Sequence, residues 1–173
     1  MSDDPHRLRT DHLPTPFTAD EIRVGCPPGR TVRSLVARRG SEPYVRVTRF
    51  LDGDDAGANQ ESWTETPEGV RLSEPERSHS TWLEFQEHAS MPSATTRISE
   101  ETIDIPAGWF DCLKYVRRDE DGVSTFWFAR SAPGMPLMFE QSGLDGELVF
   151  SSTALKDVVE STSARPRRES PEA

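Results

Sequence analysis

A chain of 173 residues with 34% apolar side chains has room for one hydrophobic core, and a formal net charge of -10 sets up a field that repels nucleic acid and anionic membrane surfaces. No apolar run approaches the length needed to cross a bilayer, and the start, Met1 to His12, lacks the apolar stretch of a secretion signal. Nucleic acid and a membrane span are therefore not expected as partners, and a cytoplasmic location is.

Composition divides the chain into a flexible segment 1–13, a single β-rich domain 14–158 and a disordered tail 159–173, because the ends carry too few apolar side chains to offset the entropy of ordering. Inside the domain, Thr18-Ala19-Asp20-Glu21 has capping-box spacing, and Gly25 followed by Pro27-Pro28 stops the chain, which predicts a short N-terminal helix. Segments 31–39 and 44–51 are strand-like and joined by Gly40-Ser41-Glu42-Pro43, a hairpin signature. Segments 62–66 and 70–72 flank the turn Pro67-Glu68-Gly69 as two further strands. A second capping box, Thr81 to Glu84, opens the main helix, 82–89, with Trp82, Phe85 and Ala89 on one face and Pro92 just past its end.

Beyond it, 94–105 reads as one bent strand or two, followed by strands at 109–117, 123–130, 137–141 and 147–155, with turn formers between them. Evenly spaced strands with short turns predict a mainly β, α+β fold: a curled antiparallel meander or half-barrel packed on one main helix. The strand 123–130 sharpens this. One face carries Val123, Thr125, Trp127 and Ala129, the other Ser124, Phe126, Phe128 and Arg130. Both faces are apolar, so the strand should be central, with one face under the helix and the other covered by a loop, a second layer, a partner subunit or a ligand.

Reactive side chains form no recognisable set. Cys26 and Cys112 are far apart with no CxxC spacing, and both are expected to be free and at least partly buried. His79 and His88 fall on opposite faces of a helix or strand, so Glu84 and His88 remain a solvated i, i+4 pair and no metal is expected. There is no Gly-x-Ser-x-Gly elbow, no HExxH and no phosphate-cradling glycine loop, so no cofactor and no catalytic residue is expected. From Arg23 to Arg49 the chain carries seven arginines against the single acid Glu42. This reads either as an anion site or as pairing with acidic strands alongside. Because only Lys114 and Lys156 are lysines, the arginine excess follows composition, and pairing is the reading preferred.

Large apolar side chains concentrate late, in Trp109-Phe110, Phe126-Trp127-Phe128, Met135 and Met138, with Trp82 and Phe85 arriving from the helix. The stretches Ile105-Pro106-Ala107-Gly108-Trp109-Phe110-Asp111-Cys112-Leu113-Lys114-Tyr115 and Phe126-Trp127-Phe128-Ala129-Arg130, running into Pro133-Gly134-Met135-Pro136, resemble uncharacterised bacterial half-barrel proteins, broadly like the lipoprotein-carrier fold. The resemblance implies a curled sheet with a concave apolar side, which in the lipoprotein carriers accepts acyl chains. The expected function is a non-enzymatic module that binds an apolar small molecule, a lipid or a partner's apolar segment through Trp82, Phe85, Trp109, Phe126, Trp127, Phe128, Met135 and Met138. The alternatives are a structural homodimer that buries the second sheet face, and an enzyme whose site is assembled from scattered residues.

Overall fold

A computed structural model of the chain describes residues 3–160. Its strands are β1 (Arg30–Arg38), β2 (Tyr44–Gly53), β3 (Gly57–Glu65), β4 (Glu76–Thr81), β5 (Thr96–Ile105), β6 (Gly108–Asp119), β7 (Gly122–Ala129), β8 (Met138–Ser142) and β9 (Leu148–Val159). They form one antiparallel sheet in the order β4-β3-β2-β1-β9-β8-β7-β6-β5. Two meanders, β1 to β4 and β5 to β9, are thus zipped together where β1 meets β9. The helices are α1 (Ala19–Gly25) and α2 (Trp82–Glu87).

Both helices begin where the capping boxes place them. Thr18 accepts from the Glu21 backbone and Glu21 reaches back to the Thr18 N–H, and Thr81 and Glu84 repeat the arrangement. The one strand pair that differs from expectation is around the Pro67-Glu68-Gly69 turn. Segment 70–72 makes only an isolated bridge, Glu65 to Arg71, and the true partner of β3 is β4. Exposed Val70 and Leu72 have nothing to pack against, so their β propensity has no burial behind it.

Since β4 and β5 are the opposite edges of the sheet, the chain between them has to cross one face, and α2 lies on that crossing. The sheet curls strongly. Ala107, in the β5–β6 turn, donates to the Ala154 carbonyl of β9 at 3.2 Å although β7 and β8 stand between those strands. The short β8 leaves that stretch of β9 open to be met.

The curl covers both faces of β7 from within the chain. Phe128 joins Phe17, Ile22, Cys26, Phe50, Trp82, Met91 and Tyr115 under the two helices. Trp127 and Ala129 pack on the other side with Ile103, Ile105 and Cys112 from the β5–β6 hairpin. Cys26 and Cys112 are free and buried in these two separate clusters, which keeps their thiols apart.

Two buried polar residues fix the parts. Arg30, 3% exposed, grips Asp157 on β9 through Nε at 3.0 Å and Nη2 at 2.7 Å. Its Nη1 donates to the Gly25 carbonyl at 3.1 Å, to Cys26 Sγ at 3.2 Å and to the Pro133 carbonyl. One fork therefore ties α1, β1, β9 and the 130–137 loop. Gln86 does the same for the helices: its Oε1 accepts from Ala19 N, and its Nε2 donates to the Pro5 carbonyl and to Thr15 Oγ1, each at 2.9 Å.

Residues 4–13, set apart from the domain by composition, are hydrogen-bonded to it: Leu13 N donates to Met91 O at 2.9 Å, and His12 bridges Pro92. The tail beyond residue 160 lies outside the described residues.

Replacing Arg30 by leucine is expected to cost about 3–5 kcal/mol in urea unfolding, because the largely buried Asp157 carboxylate is left without its partner. A loss below about 1 kcal/mol would show that the fork holds nothing together. Deleting residues 1–13 is expected to lower the melting temperature by several degrees, since Gln86 loses the Pro5 carbonyl and Met91 loses the Leu13 N–H; an unchanged melting point would support a domain boundary at 14.

Candidate functional site

Strand alternation decides which side chains face the helices. On β7 these are Phe126 and Phe128, and the register carries the same face to Tyr115 on β6, Phe139 on β8 and Ser152 on β9. It continues to Val36 and Ser34 on β1, Arg46 and Thr48 on β2, Gln60 and Ser62 on β3 and Ser78 on β4. Between this face and the helices lies a cavity of about 870 Å³, within the range of small-molecule sites.

The cavity has two unlike halves. Toward β7, β8 and β9 its floor is aromatic, with Phe126 and Phe128 stacked at 6.2 Å between ring centres, Phe126 and Phe139 at 4.8 Å, and Phe139 and Phe150 at 5.7 Å. Tyr115 stands edge-on to Phe128 at 5.3 Å, extending the row onto β6. Phe85 of α2 and Met135 of the loop after β7 close this half from above. Toward β2, β3 and β4 the wall is hydroxyl and amide: Thr48, Gln60, Ser62, Thr64, Ser78 and Ser80.

Ionisable groups are sparse in the lining: Cys26, Arg46, Glu76 and His88. Burial pushes the Cys26 thiol up, against the opposing pull of the Arg30 guanidinium. Cys112, outside the cavity, is pushed up to about 11 by burial and by the charges of Asp111 and Glu101. Tyr115 is also raised by burial, and its hydroxyl donates to the Pro14 carbonyl at 2.7 Å. No hydrogen bond joins Arg46, Glu76 and His88 among the described residues. No group of three or more His, Cys, Asp or Glu is placed to hold a metal among them either. His79, on the edge strand β4, instead meets Asn59 of β3, and His88 caps α2 at the cavity rim.

Of the eight residues singled out from sequence, Phe85, Phe126, Phe128 and Met135 line the cavity. Trp82 packs behind them, stacked on Phe50 at 6.5 Å, with its indole N–H donated to the Asp54 carbonyl. Trp127 and Met138 point to the opposite side of the sheet, where Lys114 lies 5.4 Å from the Trp127 ring and Glu101 accepts its N–H. Trp109 is 72% exposed beside the β5–β6 turn. Sequence reasoning missed Phe139, Phe150, Phe50 and the serines of β4 and β9, whose common face emerges only from the β8–β9 and β3–β4 registers.

The arginine excess is mostly pairing, as preferred. Arg23, Arg30, Arg33, Arg39 and Arg49 each meet a carboxylate, the last also lying 5.1 Å from the Trp63 ring.

No family model matches the sequence, and no curated protein matches it. Solved structures do. A candidate lipoprotein from Parabacteroides distasonis is similar with a TM-score of 0.51 and 10% identity over 77% of this chain and 96% of its own. MucB in complex with MucA(peri) is similar with a TM-score of 0.56 and 11% identity, over 88% of this chain and 57% of the MucB chain. MucB in the Pseudomonas aeruginosa MucA/MucB complex gives a TM-score of 0.54 at 12% identity, over 82% of this chain and 55% of that one. The chain therefore spans little more than half of the MucB chain, and what is shared at these identities is the fold.

The likenesses agree with the resemblance to bacterial curled-sheet proteins. They also correct the cytoplasmic location: the fold is that of a candidate lipoprotein and of a protein solved with MucA(peri), which points outside the cytoplasm. The cytoplasmic reading rested on the first twelve residues lacking an apolar stretch, a property of a leader and not of the folded domain. No helix among the described residues is long and apolar enough to cross a membrane.

Phe128, 2% exposed and enclosed by Phe17, Phe126 and Tyr115, should cost about 3–5 kcal/mol when truncated to alanine. Phe126, half-buried on the cavity floor, should cost less than half as much in the same denaturation series. Equal losses at the two positions would mean that the floor is ordinary core.

Proposed function

We propose that this protein is a non-enzymatic binding module that takes an apolar small molecule or lipid into the concave cavity. The observation that carries this reading is the row Phe126, Phe139 and Phe150, three large rings on one sheet face that are half-buried beside open volume, where a finished core would have closed over them. Phe85 and Met135 on the opposite wall supply adaptable apolar contacts. The lining offers no nucleophile and base within hydrogen-bond reach of one another among the described residues. A partner's apolar segment is the second reading, supported by the likeness to MucB solved with MucA(peri).

Ser152 stands in the middle of this floor, opposite Val36 and Phe139, and its small side chain leaves the volume above it free. The neutral dye Nile red should bind the native protein at about one equivalent, and Ser152→Phe, which fills the cavity from below, should weaken it at least tenfold without lowering the melting temperature. A native protein that takes up no neutral apolar probe overturns the reading.

A further inference from the structure

The aromatic row has a direction. It runs from Tyr115 through Phe128, Phe126 and Phe139 to Phe150 on β9, and the next strand, β1, answers Phe150 with Arg38, whose guanidinium carbon lies 5.6 Å from the ring centre. One strand further, Arg46 pairs across β1 with Ser34 and lines the cavity. Both arginines are exposed on the same sheet face at the β1–β2 hairpin end.

Of the seven arginines between residues 23 and 49, the other five have a carboxylate partner, whereas Arg38 and Arg46 have none among the described residues. Of these seven, the two without a carboxylate partner both lie on the sheet face that carries the apolar floor. The acid in the cavity lining, Glu76, is on β4, two strands from Arg46, and makes no ion pair with it among the described residues. His88 faces the cavity from α2 on the helix side.

We infer that the ligand of this cavity is a single-chain amphiphile with an anionic head, its chain lying along Phe126, Phe139 and Phe150 and its head held by Arg38 and Arg46. The inference rests on the reading of the cavity as an apolar ligand site and adds the chemistry of the head. Arginine suits it, since the planar fork binds carboxylate or phosphate oxygens in pairs while its face stays on an aromatic ring. The hydroxyl of Ser34, the register neighbour of Arg46 on β1, can donate to the same head.

The test is displacement of Nile red by three probes of equal chain length: palmitate, hexadecanol and hexadecylamine. Palmitate should bind about tenfold tighter than hexadecanol, the worth of a charge-assisted contact at a partly exposed site, with hexadecylamine weakest. In the double variant R38Q/R46Q the preference for palmitate should fall below threefold while hexadecanol binding is unchanged, and hexadecyl phosphate should follow palmitate in both proteins. Equal binding of all three probes by the native protein, or a preference for palmitate that survives the double variant, overturns the inference and leaves the apolar site standing. Failure of every probe, Nile red included, removes the site itself.

Discussion

Strands β4 and β5 follow one another in the chain yet stand at opposite edges of a nine-stranded sheet. Nine strands laid flat would separate those edges by about 38 Å. The link between them offers a six-residue helix of about 9 Å, and then residues 88–95, which reach about 27 Å only if fully extended. That segment is not extended, since Ser90 and Thr95 donate back to Glu87 and Pro92 in turns. The chain can satisfy both the β1–β9 zipper and this short link only by curling the sheet, and the curl places α2 across the concave side.

The same shortness accounts for the cavity. A helix of six residues, even with α1 beside it, is too small to cover the inner face of so wide a sheet. The helices seal the ground over Phe128, Tyr115 and Phe50, and leave Phe126, Phe139, Phe150 and Ser152 half-buried beside the cavity. Arg30 and Gln86 keep this arrangement from collapsing: each is buried, fully bonded and shared among segments distant in sequence, so the helices cannot slide over the cavity without stranding a charge or an amide.

What was legible in the sequence was local chemistry. Thr18 to Glu21 and Thr81 to Glu84 specify helix starts within four residues, and the two-sided alternation of 123–130 marks a strand covered on both faces. β4 was illegible because Glu-Arg-Ser-His-Ser-Thr has no apolar face; an edge strand over a polar wall needs none. The site was half legible. Phe85, Phe126, Phe128 and Met135 share it, while Trp127 and Met138 sit one residue out of phase or on the matching face of the neighbouring strand, so grouping aromatic and sulfur side chains by proximity in sequence merges two sides of the sheet. Phe139 and Phe150 reach the side of the sheet that carries Arg46 only through the β1–β9 pairing, which no short window contains. The missing information was topology: nothing local says that β9 inserts between β8 and β1.

That insertion sets the order in which the molecule can be completed. β9 follows the other eight strands in the chain but occupies the seam between the two meanders. While the polypeptide is being made, β1 and β8 both present an unmatched inner edge, and each waits for the same late segment. Half of the Arg30 fork, the carboxylate of Asp157, arrives with it. The pairing that closes the sheet joins residues more than a hundred positions apart, at Arg30 and Val159, the kind of long-range contact that slows folding. A newly made chain passes through a stage with two exposed hairpin edges and an unformed cavity, during which a holding factor or rapid completion of synthesis would decide how much of it reaches the closed form.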